Sequence, residues 1–80
     1  MSAPLRQPAY GRLVRRLREE RDWTLADLAA RVNMSPGYLR NIETAQDPVP
    51  STRKQRQLAR VLKARQLAPA DDTADQGAAA

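Results

Sequence analysis

The stretch LADLAARVNMSPGYLRNIE, residues 25–43, carries two short helical patterns separated by Val32-Asn33-Met34-Ser35. Leu25, Leu28, Ala29 and Val32 recur at helical spacing and make one apolar stripe, while Ala29 and Ala30 permit close helix approach. Thr24 offers an N-cap hydroxyl, and Asp27 three residues later stands where a capping box places its acid. Asn33 predicts the stop, because Asn enters the left-handed conformation more readily than other non-glycine residues. Met34 then turns inward, Ser35 caps a second helix, and Pro36 at its first position has no N–H to leave unpaired. In that helix Tyr38, Leu39 and Ile42 face a core. Gly37, Arg40, Asn41 and Thr44 lie on the outer side, where nothing apolar calls for burial.

Working outward, Leu13, Val14 and Leu17 mark a helix from Tyr10 to near Asp22, with Arg12, Arg15, Arg16, Glu19 and Glu20 on its other face. The two prolines of residues 1–9 predict a flexible arm. AQDPVPST reads as a loop, after which Ser51 or Thr52 caps a helix through about Arg65 containing Leu58, Ala59, Val61 and Leu62. From Ala68 the composition is too polar and too simple to pack. The expected organisation is an arm at 1–9, a domain at 10–67 and a disordered acidic tail at 68–80. No repeat and no strand pattern is visible, so the fold class is all-α, a small four- to five-helix bundle.

Composition narrows the chemistry. Eighty residues make one domain, of a size that buries only about 60% of its unfolded surface, which argues against an enzyme with an enclosed pocket. With no Cys and no His there are no disulfides, thiolate nucleophiles, imidazole bases or usual zinc ligands. No serine has a base, Glu19 and Glu20 sit on a solvent face, and the three glycines form no phosphate loop. Neither a secretory leader nor a run of about 18 apolar residues is present, so the expected location is cytoplasmic. Nothing indicates a metal, a cofactor, a small molecule or a membrane. Residues 1–68 hold all fourteen Lys and Arg against six Asp and Glu, a balance of +8, while Asp71, Asp72 and Asp75 follow. Such a basic body suits a polyanionic partner or a plain solvated surface.

Two short helices joined by a tight turn, the second keeping a polar face, form the pattern of a helix-turn-helix. GRLVRRLREERDWTLADLAARVNMSPGYLRNIE, continued to Leu62, resembles the Cro and lambda-repressor type of that family, the XRE family. LADLAARV is similar to its first motif helix, MSPGYLRNIE to its recognition helix, and Leu58-Ala59 with Leu62 to the helix that follows. The chain departs from the family at Leu25 in place of a phosphate-binding Gln, at Asn33 and Ala45 in place of common glycines, and at Gln55 in place of an apolar residue. The departure at Leu25 leaves phosphate to the N–H groups of that helix. A fifth core helix is missing, and thin cores often recruit a second subunit.

The resemblance implies a bacterial DNA-binding transcriptional regulator, a repressor acting as a homodimer on double-stranded DNA at a two-fold site. It places Pro36, Gly37, Arg40 and Asn41 at the bases. Asn pairs bidentately with adenine and Arg with guanine, whereas Pro36 and Gly37 offer close approach or thymine-methyl contact. Phosphate is Arg40's alternative. The phosphate-contacting set is Thr24, Ser35, Tyr38, Thr44, Gln46, Arg53 and Lys54, of which Arg53 and Lys54 bring charge. Tyr38 also reads as half-buried packing, and Trp23 as a cover over the first two helices. Arg18 and Glu43 match a pair that ties the first helix to the recognition helix in the family. A different function class remains: an antitoxin or adaptor using the same fold to bind a protein, which exposed apolar residues at Val61 or Leu67 would favour.

Overall fold

The computed structural model describes residues 5–69. The tail from residue 70, expected to be disordered, and residues 1–4 of the arm lie outside them. Four α-helices follow one another: α1 (Ala9–Glu20), α2 (Leu25–Val32), α3 (Pro36–Glu43) and α4 (Thr52–Leu62), closed by a 3-10 turn at Arg65–Leu67. There is no strand among the described residues, and the architecture is a small all-α bundle.

The local chemistry sets each boundary. Thr24 Oγ1 accepts from the Asp27 amide at 3.0 Å and the Asp27 carboxylate accepts from the Thr24 amide at 2.9 Å, so the capping box that opens α2 is complete. Asn33 stops α2 at φ 56°, in the left-handed region. Ser35 Oγ accepts from the Tyr38 amide, with Pro36 at the first helical position of α3. α1 begins at Ala9, one residue before the expected Tyr10, and two helix ends fall short of the expected ones. α1 stops at Glu20, short of Asp22, because Arg21 and Asp22 turn back onto the Arg18 and Glu19 carbonyls and Asp22 itself takes φ 56°. α4 stops at Leu62, short of Arg65, because Lys63 is left-handed at φ 53° and the Ala64 amide folds back onto Ala59 O.

Tyr10, Val14, Leu28, Val32, Leu39, Ile42, Leu58 and Leu62 form one buried cluster between the four helices. Leu67 joins it, fully buried, and its carbonyl accepts the Tyr10 hydroxyl at 2.7 Å. Burial pushes the Tyr10 phenol well above its usual ionisation range, so it stays a donor to Leu67. A single 3-10 turn therefore does the covering that a fifth helix would do. Within the stretch read as an arm, Leu5 packs on the core and the Gln7 amide donates to Ile42 O at 3.2 Å and Asp47 O at 2.9 Å. Gln7 Oε1 accepts from the Gly11 amide. Residues before α1 thus bind the end of α3 and the loop after it.

Candidate nucleic-acid interface

α3 is held from behind and left open in front. On the inner side Leu39 and Ile42 are fully buried. Arg18 and Glu43 meet in a bidentate pair, Nε to Oε2 at 2.7 Å and Nη2 to Oε1 at 2.9 Å, with side chains only 12% and 5% exposed. The third arm of the guanidinium, Nη1, donates to Trp23 O at 2.8 Å. One arginine thereby fixes the end of α3 and the turn leading into α2. The Glu43 hydrogen bond, followed by its charge, holds the Arg18 guanidinium protonated beyond its ordinary range, against the opposing effect of burial. No buried side-chain N or O among the described residues lacks a partner.

Gly11 is a residue that sequence reasoning passed over. A Cβ there would be driven into the Ile42 carbonyl oxygen and would lie 3.0 Å from that of Glu43, so α1 crosses the last turn of α3 at backbone contact. No periodicity marks such a position, because a glycine within a helical run carries no apolar signal. Gln7 was missed for the same reason.

On the outer side Ser35, Pro36, Gly37 and Arg40 are exposed and Asn41 is half-buried. The side chains of Arg40 and Asn41 have no hydrogen bond to the rest of the chain among the described residues. Asn41 does use its backbone: its carbonyl accepts from the Gln46 and Asp47 amides at 2.8 and 3.2 Å, folding the loop after α3 against the helix end. Gln46 is exposed on that loop. The Ser35 hydroxyl accepts within its own cap and keeps its hydrogen for an outside acceptor. Thr44 differs, since its hydroxyl already donates to Arg40 O at 2.9 Å.

At the flank formed by α4, Ser51 Oγ faces the Lys54 amide at 3.5 Å, and Gln55 Nε2 donates to Pro50 O at 2.8 Å. Gln55, polar where an apolar residue is usual in the family that the sequence resembles, therefore ties the loop to α4. Arg53 is exposed and has no side-chain partner among the described residues. The Lys54 ammonium stacks over the Tyr38 ring, 4.4 Å from its centroid, joining the first turn of α4 to α3. Thr24 lies at the start of α2, its oxygen engaged in the capping box. Trp23 is half-buried, with the Arg31 guanidinium 4.2 Å from the ring centroid and that of Arg21 at 5.8 Å.

Ser35, Pro36, Gly37, Tyr38, Arg40 and Asn41 thus lie on α3 and its cap, Gln46 on the loop after it, and Arg53 and Lys54 on the first turn of α4, which the Tyr38–Lys54 stack joins to α3. Among the described residues no group of three or more acidic, Cys or His side chains could hold a metal ion, and no helix is long and apolar enough to cross a membrane. A family model described as a helix-turn-helix domain matches residues 9–71. A comparison with curated proteins finds no match.

Proposed function

The chain belongs to the helix-turn-helix domain family, and from that premise we propose that it is a sequence-specific double-stranded DNA-binding transcriptional regulator of the XRE/Cro type. The observation that supports this most directly is the outer side of α3, where Arg40 and Asn41 stand on a helix held from behind and their side chains make no hydrogen bond among the described residues. Laid in the major groove, α3 brings Asn41 to an adenine edge and Arg40 to a guanine edge or the adjoining phosphate, while Pro36 and Gly37 let the backbone come close. Ser35, Gln46, Arg53 and Lys54 meet the flanking phosphates and set the register. The basic body speeds encounter and provides the sequence-independent part of the affinity.

Binding as a homodimer doubles this surface on a two-fold site, and a site overlapping a promoter makes the protein a repressor by occlusion. Its place is then the bacterial cytoplasm, on the nucleoid. The protein-partner reading loses the feature it drew from Leu67, which is fully buried. Selection of binding sites from random duplexes, with footprinting at physiological salt, tests the proposal. The expected result is a short palindromic motif with half-sites one helical turn apart. Recovery of no enriched sequence would refute specific recognition.

A further inference from the structure

The Tyr38–Lys54 stack has a role that neither residue type explains alone. Lysine is a flexible point charge on a four-carbon stem, and ordering it against a phosphate costs conformational freedom. Here the ammonium already rests on a ring face, 4.4 Å from the centroid. Tyr38 is itself fixed: it is half-buried against the core and its amide is bound by the Ser35 cap. Lys54 is half-buried too, whereas its neighbour Arg53 is exposed and has no side-chain partner among the described residues. One of two adjacent cations is therefore held in place and the other is free.

The start of α2 shows why this matters. At the start of α2 the position next to Thr24 is Leu25, which has no polar group, and the Asp27 carboxylate caps the helix end. The Thr24 amide is consumed by that carboxylate and the Asp27 amide by the Thr24 hydroxyl. Against the expectation that the N–H groups of α2 take phosphate, two amides at its start are engaged in the cap and the Asp27 carboxylate sets a negative charge at this end, so the anchoring demand shifts to α4.

Resting on the DNA-binding reading, we propose that Tyr38 is a positioning residue: its ring face pre-orders Lys54 as the principal fixed phosphate anchor of the interface, and its hydroxyl is dispensable. The test compares Tyr38→Phe, Tyr38→Leu, Lys54→Gln and the double variant Tyr38→Leu/Lys54→Gln on one duplex over a salt series. Lys54→Gln should flatten the plot of log affinity against log salt by about one ion. Tyr38→Phe should lose much less affinity than Tyr38→Leu, because the π-face is kept. Tyr38→Leu should weaken binding severalfold, and adding Lys54→Gln to it should change affinity less than Lys54→Gln does in the parent. A structural readout stands beside the binding one: the Lys54 ε-methylene protons should be shifted upfield by the ring current in the free parent and in Tyr38→Phe, and should return to ordinary values in Tyr38→Leu. A loss in Tyr38→Phe equal to that in Tyr38→Leu overturns the proposal in favour of a direct hydroxyl contact. Fully additive effects of Tyr38→Leu and Lys54→Gln, or absence of the ring-current shift in the parent, overturn it as well while leaving DNA binding intact. Failure of the parent itself to bind duplex DNA removes the DNA-binding reading and this proposal together.

Discussion

The inner and outer sides of α3 obey opposite rules. Inside, the helix meets α1 with no spare room: Gly11 admits the Ile42 and Glu43 carbonyls, Gln7 binds Ile42 O, and Arg18 holds Glu43 at both carboxylate oxygens. Outside, a Cβ added at Gly37 would find no atom within 4 Å, and the side chains of Arg40 and Asn41 have no hydrogen bond among the described residues. An eight-residue helix is marginal by itself, so its geometry comes from the inner contacts. The difference teaches that rigidity and recognition are separated across about one helix diameter. The inner contacts fix the helix and leave the outer side chains unengaged among the described residues.

The comparison breaks first at the ion pair. Glu43→Gln strands a nearly buried guanidinium and should cost about 3 kcal/mol, a large share of the ~5 kcal/mol that a domain of this size has in total. Thermal denaturation measures it. Adding Arg18→Met should restore part of the loss, since no unpaired charge then remains. Strictly additive losses would show that the two side chains act independently, as exposed pairs do.

Next in size is Gly11→Ala. Its methyl meets backbone and not a flexible side chain, so α1 and α3 must separate, at a cost of about 1–3 kcal/mol. Because α3 is displaced, DNA affinity should fall beyond what the unfolded fraction explains. Titration well below the melting temperature separates the two effects. A stability near that of the parent would mean that the α1–α3 crossing yields easily and does not set the pose of α3.

Much of this was legible beforehand, and the parts that were not share a cause. Thr24 with Asp27, Asn33, and Ser35 with Pro36 announce helix ends through local chemistry, and all three behave as read. Arg18 and Glu43, 25 positions apart, carry no local signal; the resemblance to a family supplied that pair. Gln7, Gly11 and Leu67 act on partners 35, 31 and 57 residues away. Each lies where periodicity is silent: before a helix, at a position without a side chain, or in a turn of three residues. The exit of α4, expected near Arg65, falls at Leu62 because Lys63 turns left-handed, which no local residue signal such as Gly or Asn announces. For the interface, residue type identified the outward face, but the Tyr38–Lys54 stack and the engaged Thr44 hydroxyl depend on how two helices meet.

A smaller effect, of favourable sign, is expected just past the end of α3. Ala45 adopts φ 63°, a conformation in which its Cβ crowds the backbone. Ala45→Gly removes that strain but enlarges the freedom of the unfolded chain, so the net gain should be no more than about 1 kcal/mol. Calorimetry on the free protein measures it. A fall in melting temperature would show that the Ala45 methyl contributes contacts exceeding its strain.

The smallest change sharpens the comparison most, because its two consequences have opposite signs. Gly37 lies in the first turn of α3 with negative φ, so neither backbone conformation nor packing demands glycine there. Alanine is the better helix former, and Gly37→Ala should stabilise the free domain by about 0.5 kcal/mol. If the outer side of α3 approaches bases closely, the same methyl occupies space that DNA needs. Affinity for the selected site should then fall by ~1 kcal/mol, with a smaller change on random duplex, where contact is chiefly to phosphate. Gly11→Ala acts on the inner side and should lower both quantities; Gly37→Ala should raise one and lower the other. Measuring melting temperature and site affinity on the same preparation decides between them, and a variant that gains stability with undiminished affinity would place the DNA surface away from the start of α3.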